Sequence, residues 1–166
     1  MRWVRGRRNI FEELKTKFSV SEGSDSKIIW FHCASLGEFE QARPLIEKLR
    51  VQNSKFKILI TFFSSSGYEI RKNYEGADFV FYLPIDTKSS VKRFLDTVNP
   101  FLVFFVKYDF WYNYLCELNK RKIPTYLVSA NFRKEQFRGI YGSYLRKILP
   151  FFTTIFVQNE SSKNIL

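Results

Sequence analysis

The sequence predicts an α/β fold, a Rossmann-like parallel sheet with helices on both faces. Three observations predict it. Apolar runs of five to seven residues recur without polar alternation, as strands buried on both faces require. Segments with apolar residues at helical spacing lie between them. The joints are short and carry Ser, Gly, Asp and Asn, the residues of turns and helix caps. An open doubly wound sheet is favoured over a closed barrel, which takes roughly 250 residues; this chain has 166.

The elements follow in order. Asn9-Ile10-Phe11-Glu12 reads as a helix cap with its reciprocal acid, leading an amphipathic helix to about Phe18. Residues 1–18 thus make a basic helical segment, and the polar stretch Ser19–Ser26 links it to a domain over 27–166. Strand Ile28–Cys33 precedes helix Glu38–Val51, and Lys57–Phe63 precedes Gly67–Tyr74. Phe79–Leu83 and Ser89–Val98 form the third unit, Phe101–Val106 and Phe110–Lys120 the fourth. Thr125–Ser129 leads to a helix over Gln136–Leu149, and Thr154–Gln158 to a last helix from Ser161. In Gln136–Leu149 the residues Phe137, Ile140, Tyr141, Tyr144, Leu145, Ile148 and Leu149 recur at helical spacing, with Arg138, Arg146 and Lys147 between them. That pattern suits a core-facing helix with a solvated basic face, or a basic amphipathic surface near an anionic membrane.

Composition narrows the class. A hydrophobic fraction of 45% and an aromatic fraction of 19% exclude disorder, and 19 Phe are more than a core of this size needs, so some are expected to face a partner or lipid. The net charge of +11 favours an anionic partner: nucleic acid, phospholipid headgroups or a phosphorylated substrate. Cys33 and Cys116 form no CxxC pair, which fits a reduced cytosolic chain, and with His32 as the single histidine no transition-metal site is expected. No run reaches the ~20 apolar residues of a membrane span, and the basic start has no apolar run behind it as a signal peptide would. Both ends are abrupt, and the chain is expected to be a piece of a longer protein.

Walker A, GxGxxG, HExxH and GxSxG are all missing from the sequence. His32 reads as a packed or hydrogen-bonded core histidine. Glu38 opens the helix after the first strand, at the carboxyl edge where open α/β sheets bind ligands. Two readings of it stand. It is a general base held at a cleft, or it is the acid of a Ser35-Leu36-Gly37-Glu38 capping box, a spacing that Ser66-Gly67-Tyr68-Glu69 repeats. Ser64, Ser65, Ser66 and Gly67 present hydroxyls and N–H groups suited to an anion. After the fourth strand Lys107 calls for an anionic ligand or an ion pair, and Asp109 is a candidate helix cap. Ser129-Ala130-Asn131-Phe132-Arg133 adds a further polar, cationic cluster at this edge.

These loops resemble, in order, the N-terminal half of the 3-deoxy-D-manno-octulosonic acid (Kdo) transferases. Trp30–Glu38 (WFHCASLGE) is similar to the family's W-x-H-x-x-S-x-G-E. Thr61–Glu69 (TFFSSSGYE) is similar to T-x-T-x-x-x-G-x-E, and Tyr82–Pro100 to its Y-x-P-x-D stretch and the helix that follows. Leu127–Gly139 (LVSANFRKEQFRG) is similar to N-A-R-x-S-x-x-S-x-x-G. The resemblance covers nearly all of Trp3–Leu166.

The resemblance implies the N-terminal, acceptor-binding half of an inverting GT-B glycosyltransferase. Such an enzyme moves Kdo from CMP-Kdo to a lipid A precursor without a metal ion, at the cytoplasmic face of a Gram-negative inner membrane. Glu38 falls on the family's general base. Asp109 falls on the second acid of an E-T-E-x-W-P-N segment that is Lys107-Tyr108-Asp109-Phe110-Trp111-Tyr112-Asn113 here, so Lys107 replaces the first acid. Ser35, Gly37, Ser64, Ser65, Ser66, Gly67, Lys107, Asn131, Arg133 and Arg138 are the expected substrate-binding residues. A donor-binding C-terminal domain is expected outside this chain, which alone is expected to be inactive. The net charge of +11 and the Phe content suit a phosphorylated, acylated acceptor and peripheral contact with the anionic membrane. Two other readings are another GT-B glycosyltransferase and a non-enzymatic basic module. The latter would bind nucleic acid in a salt-sensitive way, and no nucleic-acid motif supports it.

Overall fold

A computed structural model describes residues 9–19, 26–52 and 55–166. The basic start Met1–Arg8 and most of the linker Ser19–Ser26 lie outside the described residues. Helix α1 (Ile10–Ser19) precedes β1 (Lys27–Cys33), α2 (Leu36–Gln52), β2 (Phe56–Phe62), α3 (Ser65–Arg71), β3 (Phe79–Tyr82), α4 (Lys88–Val98) and β4 (Leu102–Val106). Then come α5 (Tyr112–Lys120), β5 (Thr125–Ala130), a 3-10 turn (Lys134–Phe137), α6 (Gly139–Ile148), β6 (Thr154–Val157) and α7 (Glu160–Lys163). The strands pair in parallel in the order β3-β2-β1-β4-β5-β6. The order reverses between β1 and β4, so the crevice beyond their carboxyl ends is the topological switch point.

Side chains along β1 alternate between two cores, as the pleat requires. Ile29, Phe31 and Cys33 point with Ile58, Ile60 and Phe62 into a cluster closed by Phe39, Ala42 and Ile46 of α2. Trp30 faces the other way, into a larger cluster with Leu59, Val103, Phe105 and Leu127 under α1, α4, α5 and α6. Its indole meets Phe94, Phe105 and Tyr114 at centroid distances of 5.0, 5.6 and 5.7 Å. Such aromatic pairs contribute about 0.5–1.5 kcal/mol each beyond the area they bury. The α/β sheet with helices on both faces is therefore the observed fold, and every strand lies within one residue of its expected bounds.

The expected helix Gln136–Leu149 is a correction. Gln136 and Phe137 belong to the 3-10 turn, Arg138 is extended (φ −99°, ψ 156°), and α6 begins only at Gly139. Gly139 takes φ +59°, a left-handed conformation that a glycine adopts without strain. Gly142 then packs against Phe137 so closely that an added Cβ would lie 2.1 Å from its carbonyl carbon. The core side of α6 is Gly142, Leu145 and Ile148, whereas Ile140 is 93% and Tyr141 47% exposed. No helix of the described residues is long and apolar enough to cross a membrane.

Candidate active site at the switch point

The loops after β1, β2 and β4 meet above the sheet. Ser64 N–H donates to the Ala34 carbonyl at 2.8 Å, which joins the first two. His32 of β1 and Asp109 of the β4 loop join the first and third: Nε2 lies 3.1 Å from Oδ2. That contact is skewed from straight hydrogen-bond geometry, yet both atoms are buried and neither has another hydrogen-bond partner. Trp111 packs on Phe63 at 4.7 Å and edge-on to His32 at 5.8 Å, roofing the pair.

Glu38 sits in the first turn of α2. Its Oε2 accepts the N–H of Ala34 at 2.5 Å and of Ser35 at 3.2 Å. The Ser35 bond is the reciprocal half of a capping box, so that reading of Glu38 is correct as geometry. The carboxyl is nonetheless held above the usual glutamate value of 4.5, by burial first and by the negative charge of Asp109 second. The hydrogen bond from Ala34, the nearby His32 and the bond from Ser35 act in the opposite direction and do not cancel the rise. A capped acid with raised proton affinity at a cleft edge suits general base chemistry. The neighbouring Gly37 is exposed, and a Cβ added there would meet nothing within 4 Å.

Ser64 caps α3 by accepting the Gly67 N–H at 3.4 Å, and its hydroxyl lies 2.9 Å from that of the exposed Ser66. Gly67 is buried for a packing reason: an added Cβ would fall 2.4 Å from Cδ1 of Phe62. Ser65 begins the helix, half-buried beside them. Lys107 has φ +62° and Ser129 φ +56°, so non-glycine residues take a left-handed conformation at the carboxyl ends of β4 and β5. Such backbone strain of about 1–3 kcal/mol per residue clusters at functional sites. Lys107 N–H still bonds the Val128 carbonyl at 2.9 Å, which keeps this loop beside the next one.

Glu38, Ser35, Gly37, the serine loop, Lys107 and Asp109 thus come together. Asn131, Arg133 and Arg138 belong to the neighbouring loop. Asn131 and Arg133 line a cavity of about 320 Å³ with Lys134, Asn159 and Ser161. The Asn131 Oδ1 accepts the Ser162 hydroxyl at 3.1 Å. Arg138 stands exposed at the break before α6.

The helix-cap reading of Asp109 is corrected. The expected helix from Phe110 starts at Tyr112, and its N-terminus is bonded by Asp86 from the loop after β3. Oδ2 and Oδ1 of Asp86 accept the N–H groups of Asn113 (3.3 Å) and Tyr114 (3.2 Å). Burial raises the Asp86 carboxyl above its ordinary 3.8 against those bonds. Sequence reasoning missed this residue, and Tyr82-x-Pro84-x-Asp86 was the available signal. It also missed Thr61 and Trp111, and it gave His32 no partner. Cys33 lies below the site, its thiol pushed well up by burial and by the charges of Glu38 and Asp109. Among the described residues no group of three or more His, Cys, Asp or Glu stands ready to hold a metal ion.

Residues 8–166 match the family model described as 3-Deoxy-D-manno-octulosonic-acid transferase (kdotransferase). The chain belongs to this family. A 3-deoxy-D-manno-octulosonic acid transferase of Aquifex aeolicus is 31% identical over 141 residues, 84% of this chain and 36% of that one. The Haemophilus influenzae transferase is 32% identical over 103 residues, 61% of this chain and 24% of that one. A bifunctional glycosyltransferase/methyltransferase of Fusobacterium nucleatum is 28% identical over 152 residues, 86% and 23% of the two chains. The chain therefore spans between about a quarter and a little over a third of the length of these relatives. Among solved structures, a UDP-GlcNAc 2-epimerase from Methanocaldococcus jannaschii superposes with a TM-score of 0.58 at 17% identity. It covers 84% of this chain and 41% of that one, and it shares the fold.

Proposed function

We propose that this chain is the acceptor-binding domain of an inverting, GT-B-type glycosyltransferase that moves Kdo from CMP-Kdo to a lipid A precursor. The observation that carries the reading is Glu38: a half-buried acid with raised proton affinity, fixed on two backbone N–H groups at the switch point. Its carboxylate takes the proton of the acceptor hydroxyl as that oxygen attacks the anomeric carbon of Kdo. The new C–O bond forms on the face opposite the departing phosphate, and CMP leaves with the electron pair of the broken bond. General base catalysis of this kind typically contributes about 10²–10⁴-fold, and a raised proton affinity makes the transfer less uphill. The Ser64–Gly67 loop and Lys107 supply N–H groups, hydroxyls and positive charge for acceptor phosphate, with Arg133 and Arg138 on the adjoining loop. Most of the donor site is assigned to a second domain, and no metal ion is assigned a role.

The rim of the site supports peripheral contact with an anionic membrane at its cytoplasmic face. Ile85 and Tyr108 are exposed on loops at this edge, Tyr112 at the start of α5, and Ile140 and Tyr141 on α6 after the exposed Arg138. The Tyr144 hydroxyl donates to the Phe110 carbonyl at 2.9 Å and so ties α6 to the β4 loop under these side chains. Apolar tips ringed by cations suit an acylated, phosphorylated acceptor at a lipid interface. The test is an assay of the complete enzyme with CMP-Kdo and a tetraacylated, bisphosphorylated disaccharide. Mass-resolved addition of Kdo supports the reading. Transfer from a UDP-sugar instead, with CMP-Kdo inert, would replace it with another glycosyltransferase activity.

A further inference from the structure

Polar groups form a chain from the middle of the sheet to the loop after β4. Trp30 Nε1–H donates to Thr61 Oγ1 at 2.8 Å, and Thr61 Oγ1 lies 2.9 Å from His32 Nδ1. His32 Nε2 then faces Asp109 Oδ2 at 3.1 Å. Trp30, His32 and Thr61 are each 0% exposed. Their bonding capacities set the directions. An indole N–H only donates and takes one lone pair of Thr61, and the Asp109 carboxylate only accepts, so a neutral imidazole serving both neighbours offers Nε2–H to Asp109 and takes the Thr61 hydroxyl proton at Nδ1. The imidazole proton is then on Nε2, facing a carboxylate that only accepts. The other neutral tautomer would set an imidazole lone pair against the Asp109 oxygen.

We propose that His32 is a positioning residue: seated on Thr61 and Trp30, it holds the Asp109 carboxylate beside Glu38, so that the base works as one of two facing acids. The proposal rests on the reading of Glu38 as the general base. Asp109 is free for this task because Asp86, not Asp109, serves the N-terminus of α5. Phe105 and Trp111 stand edge-on to the imidazole at 5.6 and 5.8 Å, so the pair sits among rings rather than water. In such surroundings a charge is felt strongly by its neighbours. The ionisable groups facing Glu38 are Asp109 from the β4 loop and His32 and Cys33 from β1. Burial is the first cause of the raised proton affinity at Glu38; Cys33 is held as the neutral thiol, so the negative charge that adds to it comes from Asp109.

The test is a carboxyl NMR titration of Glu38 in this chain, assigned by its loss in Glu38→Gln, together with nitrogen shifts of the His32 ring. The proposal expects a protonated Nε2 and a bare Nδ1. It expects Asp109→Asn to move the Glu38 midpoint to lower pH. Thr61→Val, which touches neither acid, should move it in the same direction by releasing His32, while Thr61→Ser keeps the wild-type midpoint. A protonated Nδ1 with a bare Nε2, or a Glu38 midpoint unmoved in Asp109→Asn, overturns the proposal. If Thr61→Val fails to fold, Asp109→Asn and the ring tautomer still decide. The base assignment is judged separately, by transfer activity in Glu38→Gln, so failure of one is not mistaken for failure of the other.

Discussion

Nε2 of His32 and Oδ2 of Asp109 meet 3.1 Å apart across the junction of β1 and β4, where the strand order reverses. The contact joins a wholly buried ring to a loop that Phe110 and Trp111 also pack down. His32→Ala removes that ring and leaves Thr61 with Trp30 as its remaining side-chain partner, so a loss of about 2–4 kcal/mol in urea unfolding is expected. Asp109→Asn keeps an acceptor for Nε2–H and should cost less than about 1 kcal/mol. Equal losses in the two variants would show that the ring packs without needing the pair.

Asp86 serves α5 from a different loop, and the helix has no side-chain cap of its own at Trp111. Asp86→Ala should therefore cost about 1–2 kcal/mol, and Asp86→Asn only a fraction of that, because the amide oxygen still accepts. Thermal melts of the two variants at one pH check the ranking.

Glu38 and Asp86 both hold their protons more tightly in the folded chain than their ordinary values of 4.5 and 3.8. Between those values and the raised folded ones, the native state binds more protons than the unfolded state. Stability from these groups is thus fully present below the unfolded values and falls as pH rises through the window, levelling above it. Glu38→Gln should flatten its share of that fall, since a neutral side chain has no ionisation to oppose. Urea midpoints of wild type and variant across pH 4 to 7 test the sign; a wild-type curve rising through this window from these groups would contradict it.

Two glycines at matching strand ends should respond oppositely to alanine. At Gly67 the new methyl group meets the Phe62 ring, and overpacking of this kind costs about 1–3 kcal/mol. At Gly37 it meets open space within a helix, where alanine is favoured by up to about 1 kcal/mol. Gly37→Ala should therefore melt no lower than wild type and yet raise the KM for the acceptor.

Ile140 projects from α6 at 93% exposure, so its replacement should not disturb the core. Ile140→Asp is expected to leave the melting temperature unchanged and to weaken sedimentation with vesicles containing anionic lipid. Unchanged vesicle binding would remove α6 from the membrane surface.

The βα alternation was legible because strands buried on both faces show as unbroken apolar runs, as Ile28–Phe31, Ile58–Ile60 and Leu102–Val106 do, whereas the edge strand β6 is half-exposed. The break at Arg138 was not. Hydrophobic spacing alone continues through Phe137, Ile140 and Tyr141, whereas the left-handed Gly139 and the close approach of Gly142 to Phe137 end the regularity. Glu38 was legible as both cap and candidate base, and its hydrogen bonds fulfil the cap. Asp109 looked like a helix cap because caps are read from neighbours in sequence. Its partner His32 comes from β1 and its replacement Asp86 from the loop after β3, and only the strand order brings them to it.

The most direct measurement is the rate of Kdo transfer by the complete enzyme carrying Glu38→Gln. The glutamine keeps an oxygen for the Ala34 and Ser35 N–H groups, so circular dichroism and melting should match wild type. The turnover number is expected to fall by about 10²–10⁴-fold with little change in acceptor KM. A folded Glu38→Gln enzyme working within a few-fold of wild type would contradict the general base assignment and leave Glu38 as a helix cap alone.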